Sequence, residues 1–303
     1  MNGSFLHHPE ASDGSRDLPH PMVLALSGWV CDRYTDAGMH GSALLARHAA
    51  TRIHAPLLRI GEPEPPLDLG WRASLDKATP FLREVVEQID EIMSHRRLPV
   101  IFANRCGASI ATIAAALRHR PDAKVVWCDA HADFNTPEST PTGYLGGMVI
   151  SALCNLWDSG FGAGLTPDRV ILVGPRDIDP AEQDLLQQHG VRIIAGVNGT
   201  IDPRMLIDAV GGAPVWLHID TDVIDPLYLP AEYQVDEGLH PLAVRAMFGA
   251  LMRTSELVGF ELTEFEVPPE GELRARAVEA IMHMIEPVLA ACSLHPEVFE
   301  AAI

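Results

Sequence analysis

Short apolar runs recur along the chain, separated by longer stretches of mixed character. They cover 22–27, 56–60, 99–103, 124–128, 169–174, 191–195, 214–219 and 257–263. Val, Ile and Leu dominate them and polar alternation is weak, the pattern of strands buried on both faces. The intervening stretches predict helices over about 41–52, 73–95, 108–119, 146–156, 180–189, 203–210, 241–251 and 272–291. Pro180 and Pro241 fall where a first helical turn tolerates proline, and Pro287 should kink or shorten the last helix. Such alternation implies an α/β fold. The expected form is a three-layer α/β/α sandwich around a mostly parallel, roughly eight-stranded sheet with right-handed crossovers.

The first twenty residues carry no such pattern and read as a flexible N-terminal tail, 1–20. No Pro/Ser linker, composition shift or internal repeat interrupts 21–303, which is expected to form a single domain.

In open parallel sheets, ligands bind beyond the carboxyl ends of the strands. The run at 124–128 is followed by Asp129-Ala-His131-Ala-Asp133, three polar side chains that an extended backbone would point one way. The run at 214–219 leads into Asp220-Thr-Asp222, that at 99–103 into Asn104-Arg105-Cys106, and the last one carries Glu261 and Glu264. A lone Asp at a strand end is commonly a helix cap. Several ionisable groups crowded on one face repel and lose hydration, which makes sense when a cation sits among them. Four carboxylates and an imidazole are mostly hard donors, better suited to Mn or Mg than to a structural zinc. More donors than one ion needs point to a two-ion centre, with ions ~3.5–4 Å apart, that activates water and polarises an electrophile.

Charge narrows the partners. With 22 Lys+Arg against 41 Asp+Glu, the formal charge of −19 argues against nucleic acid and against anionic lipid surfaces. No apolar stretch approaches a membrane span, and no signal peptide is evident in 1–20. Five widely spaced cysteines without a CxxC pair do not form a disulfide framework, so reduced thiols and a cytoplasmic home are expected.

The segment Asp129-Ala-His-Ala-Asp-Phe-Asn-Thr-Pro-Glu138 resembles the DAHxDxNTPE motif of the ureohydrolases, the arginase and agmatinase superfamily. His218-Ile-Asp-Thr-Asp-Val-Ile-Asp-Pro226 resembles its second metal motif, and Glu261-Leu-Thr-Glu264 its late acidic pair. The order and spacing match over about 99–270. The resemblance implies an amidinohydrolase with two Mn2+ ions per chain, held by Cys106, Asp129, His131, Asp133, Asp220 and Asp222. It gives Asp133 a role in orienting the nucleophile or passing its proton, and Glu264 the guanidine nitrogens. Asn135 and Thr142 would address the substrate α-carboxylate and Asp179 its α-ammonium, with Glu182 in support. Glu261 would orient a metal ligand or form a salt bridge. The substrate would be a small amino acid, and family members often assemble as trimers or hexamers.

Two departures stand out. Cys106 occupies the place of a histidine ligand, and Gly146 that of a histidine that aids proton transfer in arginases. Together they resemble a subgroup that hydrolyses Nω-hydroxy-L-arginine to L-ornithine and hydroxyurea in antibiotic biosynthesis. An N-hydroxyl lowers guanidine basicity, so such a substrate needs that histidine less, and Gly146 is expected to leave room for the hydroxyl. The alternatives are an arginase or another guanidino or formimino ureohydrolase, and a binding protein that has lost its chemistry. His218, Trp127 and Trp216 are expected in the core, and the acid-rich stretch 232–237 in a solvated loop near the site.

Overall fold

The computed structural model describes residues 20–162, 164–229 and 231–293; the expected tail, His20 apart, lies outside them. Eight strands are present: β1 Pro21–Leu26, β2 Leu57–Ile60, β3 Leu98–Ala103, β4 Lys124–Cys128, β5 Val170–Val173, β6 Arg192–Ile194, β7 Val215–Asp220 and β8 Leu257–Thr263. The helices are α1 Ala37–Arg52, α2 Trp71–Ser94, α3 Ser109–His119, α4 Val149–Leu153, α5 Pro180–His189, α6 Pro203–Val210, α7 Pro241–Leu251, α8 Glu272–Met284 and α9 Glu286–Ser293. Every predicted strand is found within two residues of its expected ends.

The strands form one sheet in the order β2-β1-β3-β8-β7-β4-β5-β6, and every pairing is parallel rather than mostly so. Helices cover both faces. Leu75, Leu82 and Ile89 of α2, with Ile110 and Ile113 of α3, fill one core. Leu45 of α1, Phe248 of α7 and Ile281 of α8 fill the other. Each fully buried Leu, Ile or Phe contributes roughly 1.5–3 kcal/mol by leaving water.

Local chemistry sets the helix ends. Pro180, Pro203 and Pro241 stand in first turns, Asp202 accepts the Arg204 amide, and Gly190 and Gly211 close α5 and α6 in left-handed conformations. The expected helix 272–291 breaks at Ile285 into α8 and α9, with Pro287 in the first turn of α9. The expected helix 146–156 shortens to a 3-10 turn, Gly146–Met148, followed by α4.

Register places the chemistry. Phe102, Leu262, Ile219 and Cys128 form one row across β3, β8, β7 and β4. Thr263 and Asp220 pair in the next row, and Asp129 follows Cys128 directly. Four adjacent central strands thus deliver the residues at or just beyond their carboxyl ends to one edge.

Candidate metal centre and substrate pocket

Asp129, immediately after β4, accepts the Trp127 indole N–H at 2.9 Å and the His131 amide at 2.7 Å. His131 Nδ1 lies 3.0 Å from Asp222 Oδ2 and 3.4 Å from Asp129 Oδ1. Asp220 accepts the Asp222 amide at 2.8 Å, and Asp222 accepts that of Ala130 at 3.0 Å. The Cys106 thiol, on the turn after β3, donates to Asp220 Oδ2 at 3.1 Å. Asp133 is buried nearby, but the backbone is not extended there: its φ is +48°. The simple i, i+2, i+4 alignment therefore fails at its last member. Asp tolerates this conformation better than most residues, and Glu264, at φ +62°, does so at greater cost.

The donors gather into overlapping groups whose ligand atoms lie within 4.8 Å of one another: Cys106, Asp220 and Glu264; Asp129, His131 and Asp222; Cys106, Asp129 and His218. Burial, followed by the neighbouring Asp129, holds the Asp133 carboxyl well above its ordinary range. Burial with Asp222 and Asp129 does the same to Asp220. The Cys106 thiol is pushed up by burial and by Asp220. For His131 burial opposes the charge, yet Asp129 and Asp222 raise its pKa far above normal. Burial and mutual repulsion oppose the loss of all three protons from Asp133, Asp220 and Cys106, and added positive charge among them would favour it. The donor set therefore fits divalent cations.

Beneath this layer lies a second one. Glu261, His218 and Trp127 share a row across β8, β7 and β4, two residues below Thr263, Asp220 and Asp129, and so face the same side. Glu261 accepts hydroxyl bonds from Ser109 at 2.9 Å and Thr112 at 2.8 Å, and its Oε2 lies 3.2 Å from His218 Nδ1. The His218 ring stacks on Trp127 with centroids 3.4 Å apart, and Nε2 reaches within 3.5 Å of Cys106 Sγ. His218 is buried as expected, but it is more than core filling: it links Glu261 to Cys106.

Glu264 is also buried, its Oε1 accepting the Cys106 amide at 2.9 Å and its Oε2 meeting Arg105 Nη1 at 2.6 Å. Burial pushes its pKa up to about 8 against the pull of Arg105. Arg105 is fully buried and touches three more acids: Asp32 at 2.9 Å, Glu232 at 2.6 Å and Glu266 at 2.8 Å. Asp32, Glu266 and the orientation of Arg105 gave no sequence signal. Glu232 corrects the expectation of a solvated stretch at 232–237, because Arg105 draws it inward, while Asp236 and Glu237 are exposed.

A cavity of about 270 Å³ opens over these groups and is also lined by Asn135, Thr142, Asp179 and Glu182. Asn135 donates its amide to Asp179 at 3.1 Å, and Glu182 accepts the Phe134 amide at 2.7 Å. Burial raises the Glu182 pKa to about 7. Thr142 is exposed at the rim. A larger groove of about 680 Å³ runs past Arg47, Arg59 and Arg274 and holds none of these donors. Gly146 brings a correction. A Cβ there would collide with the Tyr144 ring, so the room expected at 146 is filled by that ring.

A wholly parallel sheet with clustered candidate metal donors over its central strand ends defines a class: an α/β protein with a candidate metal site in a cleft at the sheet edge. Within that class, the chain belongs to the arginase family, whose model matches residues 46–289. It is 42% identical over 274 residues to the N(omega)-hydroxy-L-arginine amidinohydrolase of Streptomyces lavendulae, covering 90% of this chain and 99% of that protein. It is 30% identical over 214 residues to the arginase of Eremothecium gossypii, covering 65% of this chain and 52% of that protein. The crystal structure of Bacillus cereus arginase superposes with a TM-score of 0.75 at 19% identity, over 92% of this chain and 99% of that one, a likeness of fold alone.

Proposed function

We propose that this protein is a manganese-dependent amidinohydrolase that cleaves Nω-hydroxy-L-arginine to L-ornithine and hydroxyurea. The observation that carries this reading is the 42% identity extending over 99% of the Streptomyces lavendulae enzyme of that name. Cys106 and Gly146, which depart from the arginase pattern, support it. Cys106, Asp129, His131, Asp133, Asp220 and Asp222 would hold two manganese ions, which supply an activated water and polarise the guanidine when bound.

The remaining work falls to the chain's own groups. Asn135, Thr142 and Asp179 would hold the amino-acid end, with Glu182 fixing the turn at Phe134. Glu264, tethered by Arg105 and the Cys106 amide, would orient the guanidine nitrogens. Water oxygen bonds to the guanidine carbon, the bond from that carbon to Nδ breaks, and Asp133 carries the proton to the departing amine.

A substrate panel with metal analysis tests this. Manganese-loaded protein should release hydroxyurea from Nω-hydroxy-L-arginine faster than urea from L-arginine, with two ions bound per chain. Faster turnover of L-arginine would make it an arginase. Two bound ions without turnover of either substrate would overturn the reading.

A further inference from the structure

We propose that Tyr144 is the specificity-determining residue of the guanidine end, selecting an N-hydroxylated guanidine over a bare guanidinium. This rests on the reading above and adds the reason for it.

Three observations carry it. First, the Tyr144 ring occupies the volume that a side chain at 146 would take, and glycine at 146 is what lets it seat there. Second, the ring is held by two neighbours. The Arg33 guanidinium carbon lies 4.9 Å from its centroid, and the Tyr233 ring packs at 5.1 Å. Arg33 is itself fixed by the carbonyls of Leu69, Thr142 and Gly143. Third, the Tyr144 hydroxyl accepts from the Cys31 thiol at 3.5 Å, which leaves its own proton to donate. Tyr144 lines the same cavity as Asp133 and Glu264.

The charge balance of that wall points the same way. A guanidinium is held best by a carboxylate free to take both its N–H groups. Each oxygen of Glu264 already accepts one bond, one of them from the permanently cationic Arg105, so Glu264 keeps lone pairs for guanidine nitrogens but offers them a weakened negative charge. Beside it the wall adds the uncharged Tyr144 ring, whose hydroxyl next to Cys31 keeps one proton to donate, with the Arg33 cation over that ring rather than a second carboxylate. That suits a guanidine whose N-hydroxyl has lowered its basicity and added an oxygen to accept from the phenol.

The test uses the metal-loaded enzyme and four variants: Tyr144→Phe, Tyr144→Ala, Gly146→Ala and the double variant Tyr144→Ala/Gly146→Ala. Each is assayed for kcat/KM on Nω-hydroxy-L-arginine and on L-arginine. Tyr144→Phe should cut the preference for the hydroxylated substrate by about three- to tenfold, the worth of one neutral hydrogen bond. Gly146→Ala should lower the melting temperature by a few degrees through overpacking, and the double variant should recover it. The role of Tyr144 is read from the change in the substrate ratio, so it is scored separately from the wild-type preference that tests the function itself. A ratio that stays within about twofold in both Tyr144 variants, less than one hydrogen bond is worth, would overturn the inference. So would a Gly146→Ala protein that melts like the wild type.

Discussion

Two acid clusters meet at the cleft, where Asp133 and Glu264 both line the wall, and they handle crowded negative charge in opposite ways. On one side Asp129, Asp133, Asp220 and Asp222 surround His131 and Cys106, and among the described residues no Lys or Arg forms an ion pair with these four carboxylates, although Arg176 reaches the Asp222 carbonyl. On the other, Asp32, Glu232, Glu264 and Glu266 surround Arg105, whose charge cannot be titrated away. The first cluster is a set of candidate metal donors, and added cations would balance its crowded charge. The second carries its own cation and is a structural clamp that positions Glu264. The sharpest tests remove the charge on which each depends.

The largest effect is expected at Asp220, the last residue of β7 and a partner of Cys106. Asp220→Asn should lose metal and lower activity more than about 100-fold, since even the partners of metal ligands cost 10–100-fold. Metal content by elemental analysis and kcat/KM measure this, and full occupancy with normal turnover would refute the assignment. The same cluster predicts a pH dependence. Asp133, Asp220 and Asp222 have raised pKa values, so the folded metal-free protein holds protons that the unfolded chain has released. Metal-free stability should therefore fall as pH rises from the unfolded carboxylate value through the folded ones. Metal uptake must expel those protons, so affinity should climb with pH, and calorimetry in buffers of different ionisation enthalpy reads the release directly.

Next comes Arg105→Met, which leaves the buried Asp32 and Glu264 and the half-buried Glu232 and Glu266 without their cation. Breaking a buried pair by removing one partner costs ~3–5 kcal/mol. Urea unfolding should show a loss of that order in the metal-free protein, partly recovered when Glu232→Gln and Glu266→Gln are added. A loss below about 1 kcal/mol, the scale of an exposed ion pair, would mean that the clamp contributes little.

The two clusters also differ in how far they could be seen in the sequence. Asp129 and Asp220 stand directly after runs whose composition announces buried strands, Cys106 stands three residues after another, and a parallel sheet carries all such ends to one edge. Register did the rest, setting Cys128 beside Ile219 and Ile219 beside Leu262, and the sequence carried no statement of it. His218 was half visible: it alternates with Asp220, but only pairing with Glu261 and Trp127 turns a buried histidine into a link to Cys106. The acids around Arg105 come from positions 32, 232, 264 and 266, brought together by loops with no shared period. Asp133 shows a further limit, because a spacing rule presumes an extended backbone and φ there is +48°. At Gly146 the missing side chain was legible, but the direction of the Tyr144 ring that fills its place was not.

A smaller effect should separate the metal layer from the row beneath it. Glu261→Gln keeps one acceptor but breaks the set of three contacts from Ser109, Thr112 and His218. Metal affinity should fall by ~10–100-fold while KM of the loaded enzyme stays near wild type. An unchanged metal Kd would confine Glu261 and His218 to packing.

The smallest effect belongs to Thr142, at the exposed rim. Its hydroxyl accepts the Tyr144 amide at 3.2 Å, while its carbonyl and that of Gly143 are held by Arg33 at 3.3 and 3.2 Å. The loop is therefore anchored through backbone groups that a side-chain change does not remove. Thr142→Val keeps the shape and deletes only the hydroxyl. If that hydroxyl meets the substrate carboxylate in ground and transition states alike, KM should rise about three- to tenfold with kcat unchanged. A fall in kcat at constant KM would instead place Thr142 with Tyr144 at the guanidine end, and the amino-acid end would then rest on Asn135 and Asp179, which are already joined at 3.1 Å.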